Sequence, residues 1–506
     1  MSKNIGSEPL GRFYTGKKPK RRREWRGLKD TWYDYVRWLG YWKTLITFII
    51  KPNNMKGFFR YRWMINYLAL PDFMDRHTEG MRGTQLRMAH QALGLIVTDI
   101  CGMLGQIFKA DPAIGNDKKL NSKIVLFDEN MMSTLMGGFP NLTWLSVEVP
   151  AVYTSSMMSQ DGVSYYVDVT HQYGVPSDVC PMPAAELGVA LADDFPLIGC
   201  CAVQCNTTCD GSLMGNGIEA RSFKIPTFQL AVPIRHRQES VQEYAAEEVV
   251  NAIHFIEERT GEKFDWDAFF NAETEEFLEW MEISKTDYPQ VMGVTLALYR
   301  YGVYQAAGGR NQAFLDMDKK LTKMALDAYK NKEMAAKEYR HRAMTWGVQA
   351  AYYTALPIWL LNCWGVVTIA DMLSMVSTEM VNTEDKHQAM LDLAYLYENM
   401  IMRNRSNGGY ETGVEALWRF CEMFNIDIVI MYVHMGCKSM SGYHGLFEEE
   451  ARKHGIHLIW VTHNLMCPED GTRRDMRTEI NRYMRTVFRE EPLDPSLEDF
   501  DDSKSW

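Results

Sequence analysis

Long apolar runs are scarce in this chain. The most apolar early stretch, Leu45-Ile-Thr-Phe-Ile-Ile50, is far shorter than the ~20 residues a membrane-crossing helix needs, so no membrane span is expected. Basic charge is also in short supply. The chain has 54 Lys and Arg against 65 Asp and Glu, a net charge of −11, which argues against wholesale nucleic-acid binding. Cysteine is present without a framework: ten residues, unevenly spaced and adjacent at Cys200 and Cys201, do not resemble a secreted disulfide scaffold. No apolar segment with a small-residue cleavage site follows the early basic residues, so no signal peptide is expected and a reducing cytoplasm is the expected compartment. G-x-S-x-G, Walker A, H-E-x-x-H and G-x-G-x-x-G are all missing. The chain is therefore not expected to hydrolyse ATP itself or to bind a dinucleotide in the usual way.

The 506 residues, 46% hydrophobic and 24% charged, imply a globular protein of two to four domains. Residues 1–30 are polar and basic, with the run Lys17-Lys-Pro-Lys-Arg-Arg-Arg23. They read as a solvated arm or a dock for an acidic surface. Residues 31–70 are dense in Trp and Tyr with interspersed Arg, a surface that packs on a partner subunit or on the body of the protein. Residues 80–108 have helical spacing of apolar positions. Short apolar strands are expected at Lys123–Phe127, Leu142–Val147, Leu197–Val203 and Phe228–Val232, and again at Gly365–Ile369, Ile426–Met431 and Ile456–Trp460, with helical sequence between them. That alternation predicts an α/β protein with two parallel-sheet lobes. The expected divisions are an N-terminal helical, partner-docking extension (1–120), a first lobe (121–235), a helical insert (236–345), a second lobe (346–490) and an acidic disordered tail (491–506).

Three cysteines fall where strands of the two lobes should end: Cys180, Cys209 and Cys437. Their wide spacing fits neither a zinc ribbon nor a bacterial ferredoxin. Three thiolates on separate loops can hold a [4Fe–4S] cluster with one iron left open to substrate; equally, scattered cysteines serve as small core hydrophobes. Cys205 competes with Cys209, and Cys467 is a possible near-site thiol. Cys101, Cys363 and Cys421 read as core. Ser439, Ser441 and Tyr443 bracket Cys437 and can hydrogen-bond a carbonyl or hydroxyl, or simply satisfy local backbone. His434 is a possible acid–base group or a core imidazole.

Several collinear elements resemble the 2-hydroxyacyl-CoA dehydratase family, which includes the ATP-dependent benzoyl-CoA reductases. The likeness is greatest to the larger subunit of the 2-hydroxyglutaryl-CoA dehydratase kind. Asp178-Val-Cys180 ahead of an Ala/Gly-rich helix is similar to its "D-I-C" element. Cys205 to Cys209, followed by Ile225-Pro226 and Val232-Pro233, resembles its second cysteine and "I-P … D-V-P" strand, and the unbroken step from Cys209 to Pro233 favours Cys209 over Cys205. Ile256-Glu-Glu-Arg-Thr-Gly-Glu-Lys-Phe264 resembles "E-E-x-T-G-K-K-F", and Gly436-Cys-Lys-Ser-Met-Ser-Gly-Tyr443 resembles "S-C-K-x-W-S-G-Y".

The resemblance implies flavodoxin-like lobes and a [4Fe–4S] cluster held by Cys180, Cys209 and Cys437. It implies a homologous sister subunit in a heterodimer and a separate ATP-hydrolysing iron–sulfur activator. One electron then reduces the thioester carbonyl of a bound 2-hydroxyacyl-CoA to a ketyl, the C2 hydroxide leaves, and the product is a 2-enoyl-CoA. Ser439, Ser441 and Tyr443 would surround the acyl group. The chain also departs from the family pattern. "D-I-C-G-Y-A-R" reads Asp-Val-Cys-Pro-Met-Pro-Ala, and "D-x-D-x-x-D-P-R" is replaced in Thr462-His-Asn-Leu-Met-Cys-Pro-Glu469. These changes leave the substrate class open. The rival readings are an aryl-CoA reductase subunit, a non-catalytic electron-relaying or structural subunit, and a cluster-free scaffold.

Overall fold

The computed structural model describes residues 22–499, apart from 128–132, 147, 160–162, 197, 207–208, 234–237, 273–281, 283, 286–311, 337, 373–380 and 400–409. Ile124–Phe127 (β1), Thr143–Ser146 (β2), Cys201–Cys205 (β3) and Thr227–Leu230 (β4) form one parallel sheet in the order β2-β1-β3-β4. His341–Trp346 (β5), Val366–Asp371 (β6), Ile428–His434 (β7) and His457–His463 (β8) form a second in the order β6-β5-β7-β8. The two lobes thus share one winding, the flavodoxin-like order. Each sheet has its switch point between its first and third strands, where the connections diverge to open a crevice at the carboxyl ends. β1, β3 and β6 are buried along their whole length, which is why they read as continuous apolar runs rather than alternating ones.

Two sequence expectations need correction. The polar stretch expected to stay helical to residue 345 ends its helix, Gln312–Lys330, early, and β5 follows at His341. The second lobe therefore starts before 346. β5 opens with His-Arg and looks unlike a strand, yet its polar front is satisfied. The His341 ring bridges Asp427 at 2.7 Å and Glu490 at 2.9 Å, and Arg342 Nε donates to the Phe424 carbonyl at 3.0 Å. The start of the acidic tail is packed, not loose. Leu497 is buried, its carbonyl accepts from Trp359 Nε1 at 2.8 Å, and Asp499 takes a two-pronged contact from Arg474. Residues 500–506, the basic arm at 1–21 and residues 286–311 of the insert lie outside the described residues.

The N-terminal extension is part of the body. Helices Arg22–Ile49, Pro52–Arg60, Leu70–Thr78 and Gly83–Ala110 share one core with the first lobe and with Leu465 and Met466 of the second. Trp63 Nε1 donates to the Asp194 carbonyl at 2.7 Å and the Tyr67 hydroxyl to the Pro150 carbonyl at 2.9 Å. On the other lobe, His77 Nδ1 meets Thr354 Oγ1 at 2.7 Å and Arg82 donates to Asn362 Oδ1 at 2.8 Å. The extension therefore clamps both lobes. The lobes also exchange a helix: Lys386–Asn399, from the second lobe's connection, packs on Glu239–Thr260, with Gln242 donating to Glu398 at 2.6 Å.

Gly83–Ala110 has the length and apolarity of a membrane span, but half of its most apolar window is buried inside the protein. It also carries a buried polar relay. His90 Nε2 lies 2.7 Å from Asp34, His90 Nδ1 lies 2.9 Å from the Tyr41 hydroxyl, and Asp34 pairs with Arg26 at 2.9 Å. These groups suit a protein core, where each charge has a partner. Removing one member of such a buried pair leaves the other uncompensated. Asp34→Ala should therefore cost on the order of 3 kcal/mol, read as a lower urea midpoint at unchanged slope. Replacing Arg26 and Asp34 together by apolar residues should recover most of it.

Candidate functional site

The three motif cysteines occupy equivalent positions on three helices. Cys180 immediately precedes Pro181–Leu191, Cys209 precedes Asp210–Phe223, and Cys437 precedes Lys438–Gly442. All three are half-buried. Cys209 lies just past β3 and Cys437 just past β7, each beside its lobe's switch point.

The contacts among these loops are close. A Cβ placed on Gly211 would sit 3.6 Å from Cys209 Sγ and 3.7 Å from Cys180 Cβ. A Cβ on Gly436 would sit 3.1 Å from both Cys180 Cα and the Val179 carbonyl oxygen. The two glycines thus keep side chains out of the space beside the thiols, and the loop after β7 lies directly on the backbone of Cys180. The lobes are tied again at the rim, where Lys438 Nζ reaches Asp178 at 2.8 Å. Lys438's hydrogen bond holds the Asp178 carboxyl below the usual carboxylate range, and the same bond raises the ammonium. Sequence reasoning quoted both loops and missed this pair, although its two members flank the two cysteine motifs.

The other expected residues separate by position. Cys205 ends β3 and is fully buried in the first lobe's core, whereas Cys209 is half-buried at the start of the next helix. Cys200 and Cys201 lie at the opposite end of β3. Cys467 is buried in the core shared with the extension, and burial raises its thiol. Burial also raises the Cys101 and Cys421 thiols to about 12, and Cys363 is fully buried. Ser439 is half-buried and Ser441 exposed on the short helix after Cys437, and Tyr443, half-buried, ends that helix with its amide bonded to the Ser439 carbonyl at 3.2 Å. His434 is buried at the end of β7 with Nε2 4.0 Å from Cys180 Sγ.

A family model described as "2-hydroxyglutaryl-CoA dehydratase, D-component" matches residues 135–482. The chain belongs to that family. The match covers the two lobes apart from β1, includes all three motif cysteines, and leaves the helices of the extension outside. No individually curated protein matches the chain. The family is that of an acyl-CoA dehydratase component, and its name describes one part of a multi-component enzyme.

The donor set is three soft thiols. Among the described residues, no three His, Cys, Asp or Glu side chains are grouped as ligands of a metal ion. A single zinc requires its thiolates at ~2.3 Å. A cluster holds its thiolates on separate iron corners, farther apart than the ligands of one ion. Such a cluster is anionic, and the amino ends of Pro181–Leu191 and Asp210–Phe223 favour negative charge.

Next to His434 in the sheet register lies His463, fully buried. Among the described residues neither of its ring nitrogens has a well-formed hydrogen bond. Burial pushes it down to about 4, and pushes His77 down to about 3. Both rings are neutral when folded and protonate more readily when unfolded. Stability should therefore be full above the ordinary histidine range and fall as pH drops from ~6.5 towards 3. His77→Gln should flatten the lower part of that curve in thermal melts taken as a pH series.

Proposed function

We propose that this chain is the cluster-bearing component of a radical 2-hydroxyacyl-CoA dehydratase, with Cys180, Cys209 and Cys437 holding a [4Fe–4S] cluster. The observation that carries this reading is the placing of three half-buried motif cysteines, each at the start of a helix, with Gly211 beside Cys180 and Cys209 and with Gly436, next to Cys437, against the Cys180 backbone. When bound, the cluster supplies a single electron and one iron without a protein thiolate, a Lewis acid for the acyl oxygen. The chemistry needs this because the C3 proton of an acyl thioester is too weakly acidic for an ordinary side-chain base.

The chain's own residues do the rest. The Cys180 and Cys209 loops of the first lobe and the Cys437 loop of the second fix the thiols. Lys438 and Asp178 pair across the rim. Ser439, Ser441 and Tyr443 follow Cys437 at the opening, where a hydroxyl can hydrogen-bond the acyl group. His434 Nε2 lies beside Cys180 Sγ, where the ring can orient the thiol or exchange a proton near it. An ATP-hydrolysing iron–sulfur activator delivers the electron, and a homologous sister subunit completes the heterodimer. The work takes place in the cytoplasm on a 2-hydroxyacyl-CoA, giving the 2-enoyl-CoA.

Anaerobic purification followed by iron and sulfide analysis tests this. Cys180→Ser, Cys209→Ser and Cys437→Ser should each strip most of the iron and sulfide, and Cys205→Ser should not. Iron content unchanged in all three variants, or no iron in the unmodified chain, overturns the assignment. With activator, reductant and ATP present, 2-hydroxyacyl-CoA should lose water. Formation of a dienoyl-CoA from an aryl-CoA instead makes the chain a reductase component.

A further inference from the structure

Helix Arg22–Ile49 lies outside the family-matched residues and is apolar on two sides. Its inner side is accounted for: Asp34, Tyr41, Leu45 and Phe48 are buried against the rest of the extension. Its outer side is not. Leu28 is 78% exposed, Trp32 72%, Leu39 59% and Ile46 53%, with Tyr35 half-covered and Trp42 part-buried on the same line. The steps between these residues alternate four and three from Leu28 to Ile46, the 3.5-residue repeat of a coiled-coil seam. The regular part, beyond the kink at Gly27, runs for three heptads, about 33 Å at 1.5 Å per residue.

The charges beside the seam all have one sign. Asp30 and Asp34 are the only acidic residues between Leu28 and Leu68. Asp34 is buried, and Asp30 is partly covered beneath Arg87. Every fully exposed charge in that segment is Lys or Arg. Lys29 and Lys43 fall on the flanking positions that decide which helix can pair.

We propose that this outer face is a docking seam for one amphipathic helix of a different protein, apolar at the same 3.5-residue spacing and acidic along its flanks. The argument is independent of the reaction assigned above. A second copy of the chain would bring Lys29 and Lys43 against their own like charges, which disfavours self-pairing. A bilayer surface asks only for a broad apolar face, whereas the exposed apolar residues of this helix other than Val36 fall on one line of heptad spacing. The relay of Arg26, Asp34, His90 and Tyr41 fixes the inner side, so the seam is presented already formed and little ordering is needed on binding.

The probe is a labelled 28-residue synthetic helix with Leu and Ile at the seam positions and Glu on the flanks, titrated with the full chain by fluorescence anisotropy. A matched peptide with Lys flanks is the control. The acidic peptide should bind, at least about tenfold more tightly than the basic one at low salt, with the gap narrowing as salt rises. Leu39→Glu and Ile46→Glu, both on the exposed face, should abolish binding while leaving the circular dichroism and thermal melt unchanged. Three results overturn the proposal. The first is no binding of the acidic peptide, or equal binding of both. The second is concentration-dependent dimerisation lost in Leu39→Glu, which makes the occupant a second copy. The third is sedimentation with phosphatidylserine vesicles lost in Leu39→Glu, which makes it a membrane.

Discussion

The approach of the β7 loop to the backbone at Cys180 is the contact on which the site depends. Gly436 lies so close to Cys180 Cα and the Val179 carbonyl that even a methyl group would crowd both. Cys180 belongs to the first lobe and Gly436 to the second, so this one contact sets the spacing of the two carboxyl-terminal sheet edges. Parallel sheets open a crevice at the switch point of each lobe. The cysteines stand on loops that begin helices at those edges. Gly211 lies beside Cys180 and Cys209 within the first lobe at ordinary contact distance.

A spacing set by one glycine must be held elsewhere, because a surface ion pair such as Lys438–Asp178 contributes little. Two larger interfaces do this. Helix Lys386–Asn399 leaves the second lobe to pack on the first, and the extension bonds to the first lobe through Trp63 and Tyr67 and to the second through His77 and Arg82. Both add buried apolar side chains to these bonds, and packing of that kind resists sliding because close-packed interiors are not continuously deformable. The helices of the extension lie outside the family match.

Much of this was legible in the sequence. Buried parallel strands announce themselves as short apolar runs, and seven of the eight strands were readable on that signal. β5 was not, because its front end is His341-Arg342 and the partners that neutralise it, Asp427 and Glu490, are far away in sequence. The tail misled for the same reason: its acidic composition reads as solvated, but Arg474 and a pocket for Leu497 take it up. At the site, the cysteine loops could be picked out by residue type and by resemblance. That Cys205 is buried in a core and Cys209 only half-buried depends on where β3 stops, which spacing alone does not fix. The extension showed its aromatic density plainly, but not that one side of its first helix is used internally and the other left bare.

The clamp also reaches the loop after the last strand, Asn464-Leu-Met-Cys467. Leu465, Met466 and Cys467 are buried in the same core as the extension's helices. Asn464 is spent on the turn itself, accepting from the amides of Met466 and Cys467. Carboxylates there would have to be desolvated among Tyr, Met and Ile side chains without cationic partners, a cost of several kcal/mol for each charge. The apolar side chains of this loop therefore serve the brace between the lobes, and its one amide serves the turn.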